Sequence, residues 1–172
     1  MSTEEEAPRS LRRVATAASL FLKRNPPVGA RPGALAIAAG AAKPRIHVIA
    51  YDAERYFESD VDDVAEVRRI SSAHAVAWID VQGLGDEKVL QQIGDLFALH
   101  PLALADVVNV PQRPKTESYE GQQLFICGML RLDDKGDLHT EQVSAFIGKG
   151  HLLTFQEKHG DLFDPVRHRL RE

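Results

Sequence analysis

Residues 75–81 of this chain, Ala-Val-Ala-Trp-Ile-Asp-Val, constrain its fold more than any other segment. The run is almost entirely apolar, and Gly83 follows shortly after it. This pattern is typical of a strand that is buried on both faces in the interior of a sheet. The sequence therefore predicts a sheet that has residues 75–81 near its centre.

Five further segments have the apolar or alternating character of strands, and turn residues bound them. These segments are 34–39, 45–51, about 124–132, 142–148 and 151–156. The connection at 133–137 and the connection Lys149-Gly150 both have the composition of hairpin turns. The last three segments are therefore predicted to be strands joined by hairpins.

Apolar residues at helical spacing predict three helices between these strands. The three helices are 61–70, 86–97 and 101–108. His100-Pro101 marks the start of the last of them, because proline is well accommodated as a first helical residue. A fourth helix is predicted from Asp164 as its N-cap, with Pro165 in the first turn. No capping glycine follows it, so the sequence is interpreted as the front part of a longer protein.

The composition is that of a soluble globular protein with one domain. The chain has 172 residues, of which 44% are hydrophobic and 27% are charged. The single cysteine, Cys127, excludes an internal disulfide framework. The longest small-apolar run, 33–42, is far shorter than the roughly 20 residues that a membrane-spanning helix needs. The chain as written is therefore expected to be soluble.

The chain is predicted to consist of a tail and one folded domain. Residues 1–28 are predicted to be a flexible basic tail, and residues 29–172 are predicted to form the folded domain.

Charge is distributed unevenly along the chain. Residues 1–45 carry a net charge of +5, whereas residues 46–172 carry −9. An acidic folded part argues against nucleic-acid binding, which requires a clustered basic face. It is compatible with divalent cations, although most acidic surfaces serve only solubility.

The sequence contains no arrangement of residues that indicates catalysis. Its seven histidines are scattered, without the i, i+4 pair that can hold a metal on a helix. Gly83-Leu84-Gly85 lacks the other residues of a nucleotide-binding loop. Ser144 and Cys127 lie in strand patterns that explain their presence. The protein is therefore not expected to be an enzyme.

From residue 78 onward the chain carries six motifs whose order and spacing can be compared with known families. They are Trp-Ile-Asp-Val-Gln-Gly-Leu at 78–84, Ile-Gly-Asp-Leu-Phe-Ala-Leu-His-Pro-Leu-Ala-Leu-Ala-Asp-Val-Val-Asn at 93–109, Gln-Arg-Pro-Lys at 112–115, Thr-Glu-Gln-Val-Ser at 140–144, Leu-Thr-Phe-Gln-Glu at 153–157 and Asp-Pro-Val-Arg at 164–167. In this order they closely resemble the cytosolic N-terminal domain of CorA-type magnesium/cobalt transporters. The resemblance extends over roughly residues 29–172.

This resemblance implies an α/β fold, with a mixed parallel and antiparallel sheet, helices on both faces and the start of a long helix after them. In the family, the long helix leads into two membrane spans joined by a Gly-Met-Asn loop, and five subunits surround one pore. Gly128-Met129 is followed by Leu130 within a predicted strand, so it is not that loop. The chain is therefore expected to be a domain truncated before the long helix and the membrane spans. It would be a monomer or weak oligomer alone, and part of a homopentamer at the cytoplasmic face of the inner membrane in the full-length protein.

The resemblance also implies one metal ligand, Asp106. In the family, an aspartate at this position faces an acid of the neighbouring subunit across a regulatory divalent cation. Mg²⁺ prefers hard oxygen ligands and retains several waters, so one or two carboxylates per subunit suffice. Many relatives have a second acid immediately before this aspartate, but this sequence has Ala105. The alternative is that Asp106 is an exposed helix carboxylate without a ligand.

Other polar residues of the motifs are interpreted as structural. Lys115 and Arg113 are predicted to hold a loop by ion pairs with Glu117. Trp78 is predicted to pack in the core or at a sheet edge. The acids at 60–63 could attract a cation, but a solvated helix start is the simpler interpretation.

The function implied by the resemblance is that of a metal-sensing domain of a divalent-cation channel. Regulatory Mg²⁺ between subunits would hold the channel closed, and Co²⁺ and Ni²⁺ are further candidates for transport. One alternative is the cytosolic domain of a ZntB-type zinc transporter, since cargo is decided in the pore. A second alternative is a stand-alone soluble metal-binding module.

Overall fold

The computed structural model describes residues 28–132, 138–160 and 162–172. The predicted basic tail lies outside the described residues except for Val28. The predicted polar turn at 133–137 also lies outside them.

The described residues form seven strands and four helices, arranged around one sheet. In chain order they are β1 (Arg45–Tyr51), β2 (Tyr56–Val61), α1 (Val64–Ser72), β3 (Val76–Gln82), α2 (Glu87–Leu96), α3 (Pro101–Val108), β4 (Lys115–Tyr119), β5 (Gln122–Leu132), β6 (Leu138–Gly148), β7 (His151–Gln156) and α4 (Asp164–Arg171). The strand order in the sheet is β2-β1-β3-β7-β6-β5-β4. Strands β3 and β7 are parallel and the other neighbours are antiparallel, which confirms the predicted mixed sheet.

Strand β3 lies in the interior of the sheet, as its apolar sequence predicts. It pairs with β1 on one side and with β7 on the other, so that Ile79 lies beside Val48 and Leu153. All five residues of 77–81 are buried. A strand paired on both edges and covered on both faces has no surface for water, which explains its almost continuous apolar run.

Successive residues of β3 point to opposite faces of the sheet. Ile79 and its alternate neighbours join the main hydrophobic core, which also includes the buried faces of α1, α2 and α3. Asp80 points to the other face, where Arg167 of α4 donates a hydrogen bond to it. Helices therefore cover both faces of the sheet, which confirms the predicted fold class.

The three helices on the core face begin where the sequence places capping groups. The Asp63 carboxylate accepts a hydrogen bond from the backbone N–H of Ala65 at the start of α1. Asp86 does the same for α2, and the His100 ring accepts one from the N–H of Leu102 in α3. These contacts satisfy backbone donors that would otherwise lack a partner. The predicted start of α3 at His100-Pro101 is thus confirmed.

Three predictions of secondary structure are wrong. Residues 34–39 form no strand; the segment is mostly alanine, which has a low strand preference, and only its larger side chains pack on the core. The helix predicted at 61–70 begins at Val64, because Val61 ends β2 and Asp63 caps the helix.

The third error concerns the start of α4. Asp164 is the first helical residue and not the N-cap; Phe163 occupies the cap position without a side-chain hydrogen bond. The Asp164 carboxylate instead accepts a hydrogen bond from Arg167, one turn further along the helix, at 2.6 Å. A nearby guanidinium competes better for this carboxylate than the backbone amides do, because both groups are charged.

Candidate metal-binding site

Asp106 lies in the last turn of α3, at the side of the helix that faces the edge strand β4. Four apolar residues of α3, at 103, 104, 107 and 108, are buried against the core. The Asp106 side chain emerges beside this buried stripe and is 21% exposed. The helix therefore holds the carboxylate at a fixed position that is only partly open to water.

Both carboxylate oxygens of Asp106 have a donor within the chain. The Lys115 ammonium lies 2.5 Å from Oδ2, and the Gln112 side-chain amide donates to Oδ1 at 2.7 Å. The same Gln112 amide also donates to the Asp106 backbone carbonyl, at 2.8 Å. Asp106 is therefore not the freely exposed carboxylate of the alternative interpretation.

Lys115 connects Asp106 to a second acid. Its ammonium lies 2.9 Å from Glu117 Oε1, and Tyr119 donates to the other oxygen of Glu117. Lys115, Glu117 and Tyr119 alternate along β4, so their side chains project from the same face of the strand. The predicted Lys115–Glu117 ion pair is confirmed, whereas the predicted pair of Arg113 with Glu117 is not formed among the described residues. The further link of Lys115 to Asp106 is an addition that the sequence does not reveal.

Burial and charge act in opposite directions on this group. Partial burial acts to lower the pKa of Lys115, but its hydrogen bonds to Asp106 and Glu117 outweigh burial and raise that pKa above its ordinary value. The hydroxyl of Tyr119 and the ammonium of Lys115 hold the pKa of Glu117 below its usual range. The ammonium and the Glu117 carboxylate are therefore charged at neutral pH.

The loop between α3 and β4 is fixed by two glutamines. The backbone N–H of Gln112 donates to the side-chain oxygen of Gln142 at 2.7 Å, and the backbone N–H of Gln142 donates to Glu157 at 2.6 Å. Gln112 belongs to the motif 112–115, and Gln142 to the motif 140–144. Gln112 and Gln142, which the sequence analysis identifies only as members of motifs, therefore help to orient Asp106.

The carboxylate oxygens at and around Asp106 are ligands of the type that a hard, hydrated cation prefers. Among the described residues, no group of three or more His, Cys, Asp and Glu side chains is placed to hold a metal. A site for Mg²⁺ needs fewer protein ligands, because this ion keeps several waters and uses one or two carboxylates. The Lys115 ammonium already places a positive charge between Asp106 and Glu117. The two carboxylates thus provide a position that suits a cation, and the Lys115 ammonium lies there in this structure.

A second polar cluster lies on the other face of the sheet and is almost completely buried. Asp80 is 1% exposed and accepts hydrogen bonds from Thr154 at 2.6 Å, from Gln156 at 2.9 Å and from Arg167. Trp78 donates to the Thr154 hydroxyl, and the Arg167 guanidinium lies 5.4 Å from the centre of the Trp78 ring. The prediction that Trp78 packs in the core is confirmed. Because Asp80 is almost completely buried and protein donors surround it, this cluster acts structurally, attaching α4 to the sheet.

A third cluster connects the last turn of α4 to β2. Arg171 donates two hydrogen bonds to Glu58, and Tyr56 and His47 contact the same carboxylate at 2.8 and 2.9 Å. The Arg171 guanidinium lowers the pKa of Glu58 to about 2, against the opposing effect of burial. His47 also contacts Asp60, at 2.6 Å.

These contacts account for two of the acids at 60–63. Asp60 has His47 as its partner and Asp63 caps α1. The interpretation of this stretch as the start of a helix is therefore supported.

No helix within residues 28–132, 138–160 and 162–172 has the length and apolar character needed to cross a membrane.

The sequence of this chain matches a known protein family. Residues 73–172 match the family model described as CorA-like Mg²⁺ transporter protein. The cobalt/magnesium transport protein CorA of Thermotoga maritima is 39% identical over 127 residues, which are 73% of this chain and 36% of that protein. The chain therefore spans about a third of the length of this curated relative.

Two solved structures share the fold. The soluble domain of CorA from Methanocaldococcus jannaschii superposes with a TM-score of 0.54 at 14% identity, over 73% of this chain and 46% of that one. The cytoplasmic domain of ZntB from Vibrio parahaemolyticus superposes with a TM-score of 0.53 at 10% identity, over 74% of this chain and 49% of that one. Since the family model covers more than half of the chain, including α3 and Asp106, the chain belongs to the CorA-like Mg²⁺ transporter protein family.

Proposed function

We propose that this chain is the cytosolic metal-sensing domain of a CorA-type divalent-cation transporter, and that Asp106 is its regulatory metal ligand. In the full-length protein, Mg²⁺ bound between subunits of a homopentamer would hold the channel closed. The family description and the name of the Thermotoga maritima relative support a transport function and not an enzymatic one. The domain would then lie at the cytoplasmic face of the membrane that carries the pore.

The observation that carries this proposal is the position of Asp106. The residue is held on a packed helix, with one oxygen oriented by Gln112 and the other in contact with a cationic group. An acid supplied by a neighbouring subunit would face this carboxylate. Two carboxylates brought together repel each other, and a divalent cation between them turns repulsion into adhesion. A cation bound in this way favours the assembly in which the subunits are close, and only such a difference in affinity can shift a gate.

Transport assays on the full-length protein test the proposal. Asp106→Asn keeps the shape of the side chain and removes the charge that a hard cation requires. We expect uptake in this variant to resist inhibition by internal Mg²⁺, with the inhibitory concentration raised about 5- to 150-fold, the range of typical allosteric couplings. Ion selectivity should be unchanged, because the pore is not altered.

A matched control separates this effect from a general change of charge. Asp95 is an exposed aspartate of α2, and Asp95→Asn makes the same substitution away from the site. Inhibition should be normal in this control. If Asp106→Asn were inhibited by internal Mg²⁺ as strongly as the control, Asp106 would not be the regulatory ligand.

The ZntB-type zinc transporter is the second candidate, and the fold shared with the Vibrio parahaemolyticus domain favours it as the nearest alternative. Measuring the uptake of Zn²⁺, Mg²⁺ and Co²⁺ by the full-length protein distinguishes the two candidates: a ZntB-type protein should transport Zn²⁺, and a CorA-type protein should transport Mg²⁺ and Co²⁺. The reading frame beyond Glu172 tests a stand-alone module: a Gly-Met-Asn motif between two apolar stretches would exclude it.

A further inference from the structure

The ammonium group of Lys115 contacts the carboxylate that is proposed above as the metal ligand. Its nitrogen lies 2.5 Å from Asp106 Oδ2 and 2.9 Å from Glu117 Oε1. A positive charge between two carboxylates relieves their repulsion, which is also what a bound divalent cation does. Lys115 is thus a stand-in for the cation, supplied by the chain itself.

We propose that Lys115 is a built-in competitor for the cation at Asp106, so that a divalent cation binds only when the lysine leaves the carboxylate. This inference rests on the proposed function of Asp106 as a metal ligand. Two cations in contact with the same carboxylate oxygen would repel each other strongly at this distance. Binding of the ion and retention of the Lys115–Asp106 ion pair are therefore mutually exclusive.

The surroundings of Lys115 allow it to leave without disturbing the carboxylates. Its side chain is 26% exposed, and a lysine stem is flexible and can carry the ammonium into water. After it leaves, the Gln112 amide still holds Asp106 Oδ1 and the Tyr119 hydroxyl still holds Glu117. The oxygen that Lys115 contacts would therefore become available in a site that is already oriented.

The consequence is a lowered affinity for the regulatory ion. Each binding event has to break the Lys115 ion pair, so binding requires a higher concentration of the free cation. Such a contact would set the sensing threshold, and its removal would shift the threshold to lower concentrations. If competition sets the threshold, a change at Lys115 should shift the threshold even though the number of metal ligands stays the same.

Binding of Mn²⁺ to this chain tests the proposal directly, with Mg²⁺ as the competing ion. Mn²⁺ accepts carboxylate and water ligands and broadens the NMR signals of nearby nuclei, which gives an affinity for the region around Asp106. We compare Lys115→Met, which keeps the stem and removes the charge, with Lys115→Arg, which keeps the charge. Lys88→Met, at an exposed position of α2, is matched in net charge.

We expect Lys115→Met to bind Mn²⁺ about fivefold or more tightly than the wild type, at the lower end of typical coupling factors. Lys88→Met should change the affinity much less, and Lys115→Arg should stay close to the wild type. The effect of Lys115→Met should disappear in the double variant with Asp106→Asn. If Lys115→Met binds no more tightly than Lys88→Met while Asp106→Asn still weakens binding, the competition is overturned and the metal site stands.

A second outcome would also overturn the competition. If millimolar Mn²⁺ broadens no signals near Asp106 in any variant, or broadens them equally with Asp106→Asn, Asp106 binds no cation within one subunit and Lys115 has no ion to compete with; the role of Asp106 between subunits is then decided by the inhibition of full-length Asp106→Asn by internal Mg²⁺. Acylation of lysines, followed by mass spectrometry, gives a second readout. The Lys115 amine should react faster when Mg²⁺ is added to the wild type, and should not respond to Mg²⁺ in Asp106→Asn. A reactivity that is unchanged by Mg²⁺, at concentrations where Mn²⁺ binds at Asp106, would contradict displacement of the lysine.

Discussion

Arg167 of α4 and Asp80 of β3 form an ion pair that is almost entirely buried, with side chains 5% and 1% exposed. The two residues lie 87 positions apart in the chain, and their contact attaches α4 to the interior of the sheet. Asp80 also accepts hydrogen bonds from Thr154 and Gln156 of β7, so its buried carboxylate has three side-chain donors. Buried charges are tolerated when they are paired and hydrogen-bonded in this way.

Removal of one partner of this pair should be strongly destabilising. Arg167→Met leaves the Asp80 carboxylate buried without its counter-ion, and we expect it to lower the free energy of unfolding by about 3–5 kcal/mol. Arg169→Met, at an exposed position of the same helix, should change it by no more than about 0.5 kcal/mol. Urea denaturation of both variants measures the difference. Equal losses in the two would show that the buried pair makes no special contribution.

The sequence predicts the interior of this fold better than its edges. The interior strands β1, β3 and β7 have clear apolar or alternating runs, and their predicted bounds agree closely with the structure. The two strands that the sequence analysis missed, β2 and β4, form the two edges of the sheet. Edge strands are paired on one side only and carry more polar residues, so their hydrophobic signal is weak.

The candidate site is less predictable, for a different reason. Asp106 is identified by its place in a motif, and the Lys115–Glu117 pair by the closeness of the two residues in the sequence. The contact between Lys115 and Asp106 crosses a nine-residue separation that includes Pro111 and Pro114. The conformation of that loop decides whether the two side chains meet, and neither periodicity nor capping rules specify it.

The cluster around Glu58 should make stability depend on pH in the acid range. The Arg171 guanidinium lowers the pKa of Glu58 from its ordinary 4.5 to about 2 in the folded protein. A carboxyl with a lowered pKa in the folded state stabilises the protein above its unfolded pKa, and this contribution is lost as the pH falls towards the folded value. Glu58→Gln should therefore be less stable than the wild type at pH 7, and this difference should shrink from about pH 4.5 down to about pH 2.

Denaturation at several pH values, with Glu54→Gln as the control, measures this effect. Glu54 is exposed on the turn between β1 and β2. Its substitution should change the stability only slightly, because the side chain is exposed. A difference between Glu58→Gln and the wild type that stays constant down to pH 2 would contradict the role of Arg171.

Gly85 should not tolerate a side chain, because the segment before β1 passes directly over it. A Cβ atom at this position would lie 2.2 Å from the carbonyl oxygen of Ala41 and 2.6 Å from that of Ala42. Both are backbone atoms, so relief would require the segment to move and would strain the hydrogen bond from Gly85 N–H to Ala42. Gly85→Ala should cost about 1–3 kcal/mol of unfolding free energy, as overpacking typically does.

A second glycine provides the control for that substitution. A Cβ at Gly128 of β5 would meet no atom within 4 Å, so Gly128→Ala should be close to neutral. Thermal denaturation of both variants is sufficient to compare them. A Gly85→Ala protein as stable as Gly128→Ala would mean that the segment around 41–42 is not held against residue 85.

The same substitution, Asp to Asn, should lower the free energy of unfolding much more at Asp80 than at Asp106. Asp106 is 21% exposed and its ion pair with Lys115 is partly open to water, so Asp106→Asn should cost no more than about 1 kcal/mol. The new amide oxygen can still accept from Gln112, and Lys115 keeps Glu117 as a partner. Asp80→Asn removes the buried counter-ion of the Arg167 guanidinium and leaves it with the exposed carboxylate of Asp164, so we expect it to cost about 3–5 kcal/mol. Chemical denaturation of the two variants with and without millimolar Mg²⁺ tests this contrast: a loss at Asp106 as large as that at Asp80 would mean that Asp106 is a structural residue, not one free to bind a cation.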